Sequence, residues 1–536
     1  MDRLGGIRLR KPPLLSIDNT AQAPAPAGDE TAMSEAKKAA EEEEEELELE
    51  LEEPVSPAGR LFREPNFSCY IVCTFGLAKP VDLPAVRAGI EATLARHPRF
   101  CSIQVLDEQD KSAKPKWVRT KVNMDDHIIV APTDTSAVDA DPDKAVEDYA
   151  SSLSTPSMPM DHSRPLWELH LLPFPTSEAA ATAALRVHHS LGDGVSLLSL
   201  LIACTRSAAD PAAMPALPSS SSSGQKRRGP VYALAPRPPL AAGAGAVLKW
   251  VVSWLVLAWH TVVDVVIFAL TAASLLGDAR TVLKGEEGAE FRPRRFVNRT
   301  LSLGDVKDVK NAMGCTVNDV LVGLSSAALS RYYFRRTGDS EAKNVKVRTA
   351  LMVNLRPTPG LHELAKMMES SKKNGVKWGN QFGYMILPFH LAKHDDPLEY
   401  VRKATKVTRR KKSSMESIFT YWSADMVVKI SSIKAAASLC YGMFKNTTLS
   451  FSNLVGPSEQ IVFCGNPIVY IAPTSYGHPH ALTMHWLSYM NILKLALAVD
   501  ETQFPDAHEI LDDFTESLRL IREAASRQRD KAQDCS

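Results

Sequence analysis

Apolar and polar positions along this chain keep two rhythms, one alternating and one spaced by threes and fours. Phe67 to Phe75 is apolar enough for a buried strand, bounded by Pro65-Asn66 and Gly76. Asp82 then caps a helix with apolar residues at Leu83, Val86, Ile90 and Leu94, which stops at His97-Pro98. Leu166 to Leu172 and Ala183 to Val187 read as two strands joined by a hairpin turn over Pro173 to Glu178. A tight turn at Gly192 to Gly194 leads into a helix beginning near Val195. Further on, the spacing predicts a helix over 317–333, with Thr316 as its cap and Asn318-Asp319 in its first turn. Strand signals follow at Val345 to Val353, Tyr384 to Phe389, Leu449 to Leu454, Ile468 to Ala472 and Ile492 to Val499. Asp506 to Gln528 closes the chain as a helix. Strands and helices are mixed in both halves, so the fold class is α/β or α+β. At 536 residues the chain exceeds one small core, and two domains or half-domains are expected.

One apolar stretch stands apart. Ala246 to Leu276 is long enough to cross a bilayer as a helix. On a helical wheel, Lys249, Ser253, His260, Asp264, Thr271, Ser274 and Asp278 share one narrow stripe, and the rest is Val, Leu, Ile, Phe, Ala and Trp. Trp250, Trp254 and Trp259 favour a membrane–water interface. Three readings stay open: a core helix, a single span, and a helix lying in one leaflet with its polar stripe toward protein or headgroups. The third is favoured. One crossing would put the two parts of a shared pocket on opposite sides of a membrane.

Composition marks out the remaining segments. Residues 1–53 form an acidic tail, nearly all glutamate from Glu41 to Glu53, that buries little and is expected to be disordered. Residues 207–245 form a Pro- and Ser-rich linker carrying Lys226-Arg227-Arg228. Two ordered halves, 54–206 and 296–530, flank this linker and the apolar helix of 246–278. Lysine plus arginine equals aspartate plus glutamate at 62 each, and nothing in that balance points to nucleic acid. The cysteines are scattered without a CxxC pair, so a zinc site is not expected and a reducing compartment is the default. The first residues lack the apolar core of a secretory signal.

The densest chemistry is His188-His189-Ser190-Leu191-Gly192-Asp193-Gly194, at the end of a strand. Histidine takes and returns a proton near neutrality. A histidine held there can deprotonate an alcohol as it attacks a thioester carbonyl, then protonate the departing thiolate. Neighbours in extended chain point to opposite sides, so one histidine faces substrate and the other away; His189 is the expected base. Asp193 is expected to form a buried ion pair fixing the loop, with Arg356 or Arg186 as partner. Gly194 leaves room for backbone to approach. His478, His480 and His485 invite a metal reading, but Pro479 and the lack of nearby carboxylates argue against it. Ser190 lacks the Gly-x-Ser-x-Gly elbow of a nucleophile.

This motif resembles that of acyl-CoA-dependent acyltransferases sharing the chloramphenicol acetyltransferase fold. Pro54-Val55-Ser56-Pro57, Pro165-Leu166-Trp167-Glu168, Asn318-Asp319, Asn354-Leu355-Arg356-Pro357, Gly379-Asn380 and Ser452-Asn453-Leu454-Val455-Gly456-Pro457 follow in order. Together they resemble the plant wax ester synthase/diacylglycerol acyltransferase family over about residues 54–530. Val55 departs mildly from that pattern. The resemblance implies two pseudo-symmetric half-domains with a central tunnel, and catalysis by His189 with His188 and Asp193. It implies substrate contacts from Gly194, Asn318, Asp319 and Asn380, and structural support from Arg356. The implied partners are fatty acyl-CoA, a long-chain fatty alcohol or diacylglycerol, and membrane lipid at the endoplasmic reticulum. Acyl-CoA is then a substrate, and neither cofactor nor metal is expected. A soluble acyltransferase of secondary metabolism would carry Asp-Phe-Gly-Trp-Gly where this chain reads Trp-Gly-Asn-Gln-Phe-Gly. A peptide-synthetase condensation domain would bring carrier-protein or adenylation segments, and a silent lipid-binding protein would not need His189, Asp193 and Asn318 intact.

Overall fold

The alternating segments become the strands of two main sheets in the structure, a computed structural model describing residues 52–106, 114–132, 134–211, 213–215, 243–339, 345–356 and 378–534. In chain order the elements are β1 (Tyr70–Leu77), α1 (Leu83–Ala92), β2 (Ile128–Val130), β3 (Trp167–Leu172), β4 (Ala181–His188), α2 (Gly194–Ala203) and β5 (Thr205–Ser207). The apolar helix α3 (Gly243–Ala272) follows, then β6 (Arg294–Ser302), α4 (Leu303–Met313), α5 (Val317–Thr337), β7 (Val345–Asn354) and β8 (Phe382–Leu391). The last part holds α6 (Leu398–Lys412), α7 (Glu416–Ile430), α8 (Ile433–Lys445), β9 (Leu449–Val455), β10 (Ile461–Phe463), β11 (Asn466–Tyr476), β12 (Leu482–Tyr489), β13 (Ile492–Asp500) and α9 (Ala507–Asp534).

The seven-stranded sheet runs β2-β3-β4-β1-β11-β10-β5, and the six-stranded sheet runs β8-β7-β9-β12-β13-β6. The fold is therefore mixed α/β with two sheet-bearing halves. The sequence boundary between them is not the boundary in space. Strands β10 and β11 come from the C-terminal half, yet β11 pairs along β1 and β10 pairs with β5. The site between the sheets thus draws on both halves.

Local chemistry explains most element ends. Asp82 caps α1 through Ala85 N–H. Thr316 and Asp319 form a reciprocal capping box on α5, which ends at Gly338 with φ of 65°. Helix α5 is buried nearly all round, and α6 and α9 pack against it. Several boundaries move. Phe67 belongs to a short 3-10 turn, and the strand begins at Tyr70. Helix α1 ends at Ala92, before a separate turn at Leu94–Arg96. The tail through residue 51 and most of the linker lie outside the described residues. The linker's final residues, Gly243 to Gly245, already form the first turn of α3.

Helix α3 turns the middle of its polar stripe, from His260 to Thr271, toward protein, leaves Lys249 exposed, and exposes most of its apolar surface. The Asp264 carboxylate is buried against Arg410 and Lys411. His260 Nδ1 meets Ser413 Oγ at 2.6 Å, and Arg348 donates to Thr271 Oγ1 at 2.7 Å. The stripe ends sooner than the spacing predicts: Ser274 and Asp278 lie beyond the helix, although Asp278 still pairs with Arg348. Trp254, Leu255, Trp259, Val262 and Val266 are exposed, so the core-helix reading is overturned.

Candidate functional site

His188 ends β4, opposite Tyr70 of β1, and His189 is the first residue of the turn that follows. The extended backbone sends their rings to opposite sides, as expected. His188 is fully buried. Its Nδ1 accepts from Ser190 N–H at 3.2 Å and meets Ser190 Oγ at 2.7 Å, while Nε2 lies 3.4 Å from Ser68 Oγ. Burial, then the neighbouring His162, Arg63 and His189 charges, hold its pKa well below the ordinary value. His188 is not among the residues lining the cavity, where a catalytic contact was expected. The Ser190 hydroxyl also accepts from Gln104 at 2.9 Å, which leaves its proton for His188.

His189 faces a cavity of about 280 Å³. Phe62 stacks on its ring at 4.2 Å and Phe382 meets it edge-on at 6.1 Å. Phe62 is placed by the Pro54–Pro57 element: Val55 is buried, and Ser56 caps the short helix Pro57–Leu61 that Phe62 ends. His189 Nδ1 is buried without a geometric hydrogen-bond partner among the described residues, so Nε2 is the nitrogen open to the cavity. Burial lowers the imidazole pKa; its own backbone carbonyl, Asp193 and Asn380 oppose that shift. A neutral imidazole with an open nitrogen can accept a proton.

The loop below His189 is stitched to the opposite half. Asp193 Oδ1 caps α2 at Ser196 N–H, 2.9 Å, and Oδ2 accepts from Arg356 and from Gln381 N–H, both at 2.8 Å. Arg356 is thus the partner; Arg186 pairs instead with Glu168. Arg356 also donates to Ser196 Oγ at 3.0 Å and to the Gly379 carbonyl. Trp378 Nε1 donates to the Leu191 carbonyl at 3.2 Å, and Asn380 Nδ2 to the His189 carbonyl at 3.0 Å. Every residue from Trp378 to Gln381 therefore touches the histidine loop or the start of α2. Gly379 sits at φ of 106°, where a side chain would be strained.

The other expected contacts fall in three places. Gly194 lines the cavity, and the space it leaves is filled by Leu454, whose Cδ1 would lie 3.0 Å from an added Cβ. The expected close approach is thus by a side chain rather than by backbone. Asn318 lies one step behind the wall: it is exposed and accepts at 2.6 Å from Asn453, which lines the cavity. Asp319 is turned away; its carboxylate accepts from Thr316 N–H at 2.9 Å and from the Thr408 hydroxyl. Asn380 acts on the His189 backbone and is not among the lining residues.

Sequence reasoning missed Phe62, Phe382 and His485 as site residues. His485 lines the cavity beside Ile71, Leu198, Met352, Phe382, Leu454 and other apolar groups. Its Nδ1 meets Ser452 Oγ at 2.7 Å and its Nε2 meets Ser475 Oγ at 3.1 Å. Burial, then the His189 charge, lower its pKa to about 4. His480 is likewise taken up by Thr447 and Ser450, both at 2.8 Å.

Comparison with known proteins fits this geometry. A family model described as the wax ester synthase/diacylglycerol acyltransferase catalytic domain matches residues 66–321, and the WS/DGAT C-terminal domain matches residues 378–522. The chain is 44% identical over 504 residues to wax ester synthase/diacylglycerol acyltransferase 11 of Arabidopsis thaliana, covering 92% of this chain and 98% of the relative. It is 43% identical over 487 residues to number 5 of the same series and organism, covering 88% and 93%. In fold it is similar to wax ester synthase/diacylglycerol acyltransferase from Marinobacter aquaeolei VT8, with TM-score 0.54 and 19% identity over 88% of this chain and 100% of that one. A first condensation domain of the calcium-dependent antibiotic synthetase gives TM-score 0.51 at 12% identity, over 87% and 94%; both are likenesses of fold alone. By the two matching domains and its curated relatives, this chain belongs to the wax ester synthase/diacylglycerol acyltransferase family and is an acyltransferase of that family.

Proposed function

We propose that this protein transfers a fatty acyl group from acyl-CoA to a long-chain alcohol, giving a wax ester, with diacylglycerol as a second acceptor giving triacylglycerol. His189 is the general base. Its Nε2 takes the hydroxyl proton as the alcohol oxygen attacks the thioester carbonyl carbon. The tetrahedral intermediate then collapses, and the coenzyme A thiolate leaves with that proton. Acyl-CoA is consumed as a substrate, and the reaction needs no cofactor.

One observation carries this reading. Among the described residues two histidines line the cavity, and of these His189 alone has a ring nitrogen open to it; both nitrogens of His485 are engaged by serines. The apolar wall of Ile71, Leu198, Met352, Phe382, Leu454 and Val455 suits hydrocarbon.

The same reading places the enzyme on the cytosolic face of the endoplasmic reticulum membrane, with α3 in the plane of one leaflet. Helix α3 is long and apolar enough to cross a membrane, but its polar stripe is bound to the C-terminal half through Asp264, His260 and Thr271. Helix α7 extends the apolar face with its polarity inverted: Glu416, Ser417 and Thr420 are buried, while Phe419, Trp422, Met426 and Ile430 are exposed. Exposed Arg409, Lys412, Lys429 and Lys434 on α6, α7 and α8 complement anionic headgroups.

Expression in a yeast lacking neutral-lipid synthesis tests the acceptor. Wax ester should form when fatty alcohol is fed, and triacylglycerol should form without it. A strain making neither would overturn the reading.

A further inference from the structure

The arrangement around His485 contains a proton count that the base alone does not use. His485 on β12 lies directly opposite Ser452 on β9 in the parallel ladder, and Ser475 on β11 reaches its other nitrogen. All three line the cavity with His189. Burial keeps the His485 ring neutral near pH 7, and a neutral imidazole has one N–H and one lone-pair nitrogen. One serine therefore gives its proton to the ring, and the other receives the ring's proton. The receiving serine keeps its own O–H uncommitted, because neither hydroxyl has another partner among the described residues. Thr474, a third hydroxyl on the wall, is already spent on the Val72 carbonyl at 3.0 Å. Ser475 is buried, whereas Ser452 is half-buried and more open to the cavity.

We propose that Ser452 donates its hydroxyl proton in a hydrogen bond to the oxyanion of the tetrahedral intermediate, with His485 and Ser475 as the positioning residues that aim it. Ser475 O–H donates to His485 Nε2, His485 Nδ1–H donates to Ser452 Oγ, and Ser452 O–H points into the cavity. This rests on the acyl-transfer reading above. In that step the alcohol proton passes to His189 Nε2, the new C–O bond forms, and the thioester carbonyl oxygen becomes the oxyanion. Collapse breaks the C–S bond, and the thiolate leaves with the proton held by His189. Ser452 keeps its proton throughout, and there is no change of oxidation state. His189 and Ser452 reach the cavity from different sheets, so base and donor can flank one carbonyl. A fixed donor in a low-dielectric pocket acts on charge that develops only in the transition state, so it raises kcat and leaves KM little changed.

The experiment measures kcat and KM with palmitoyl-CoA and hexadecanol for wild type, His189→Ala, Ser452→Ala, Ser452→Thr, Ser475→Ala, His485→Leu and the Ser452→Ala/His485→Leu double variant. Removing a single oxyanion donor costs about 10²–10³ in kcat, and that loss is expected for Ser452→Ala with KM nearly unchanged. Ser452→Thr keeps the hydroxyl and should recover most of the rate, which separates lost chemistry from lost folding. Ser475→Ala should lose less than Ser452→Ala, and the double variant should be no slower than Ser452→Ala alone. A kcat fall under about 30-fold for Ser452→Ala, or a greater loss for Ser475→Ala, overturns the assignment. Inactive wild type, or full activity in His189→Ala, would instead sink the acyl-transfer reading on which it rests.

Discussion

The His189 loop is held by hydrogen bonds and an ion pair that reach it from the opposite half. Arg356 and Asp193 form a buried ion pair across the two halves. Removing one partner of such a pair costs about 3–5 kcal/mol, because the other charge is left uncompensated. Arg356→Met should therefore lower the melting temperature and slow acyl transfer together; an unchanged melting temperature would show that the clasp does not hold the loop. Asn380→Ala removes one hydrogen bond to the His189 carbonyl and should cost about 1 kcal/mol in denaturant unfolding. The acid limb of the rate should follow the lowered pKa of His189, so half-maximal activity should fall below pH 6.5, the free-imidazole value. His189, Asp193 and Arg356 were legible because residue type and spacing limit what they can do. Phe62 and His485 were not, because Phe62 reaches the His189 ring from a turn and His485 reaches the cavity from a strand, both distant in sequence. Asn318 and Asp319 were adjacent in the motif but point apart: Asn318 stands behind Asn453, and Asp319 is consumed by the helix cap.

At the scale of elements, the polar stripe of α3 could be read from spacing alone, and its central residues meet protein as that spacing implied. The partner face could not. Phe419, Trp422, Met426 and Ile430 repeat by threes and fours like any core-facing stripe, yet they are the exposed face of α7. Periodicity marks a face without saying what covers it. Charged residues on both α3 and α7 should weaken membrane docking without touching the cavity. Trp259→Glu with Trp422→Glu should greatly reduce co-flotation with liposomes containing anionic lipid, while leaving the melting temperature within a few degrees of wild type. Equal flotation would show that this face does not meet the bilayer.

For the whole molecule, the two sheets are joined by strand exchange, since β10 and β11 complete the N-terminal sheet. The apolar run Ile468 to Ala472 marked β11 as a strand, but which sheet takes it depends on long-range pairing with β1, which local pattern does not encode. The assembled interior also buries an unusual set of neutral histidines. Burial lowers His97 and His480 to about 3 and His485 to about 4, and depresses His188 and His478 further below the ordinary value. Each is depressed relative to the unfolded chain, so the unfolded state binds more protons below pH 6.5. The stability these groups contribute is present above pH 6.5 and is lost as pH falls toward about 4. The melting temperature should thus drop steadily from pH 7 to pH 5; a flat profile would contradict the neutral, buried placement of these rings. In the proposed reaction His189 accepts the alcohol proton during acyl transfer. The direct test is ester formation from palmitoyl-CoA and hexadecanol by purified, folded His189→Ala beside wild type. Loss of a general base predicts a rate at least about 10²-fold lower, whereas ester formation at the wild-type rate would show that His189 is not the base.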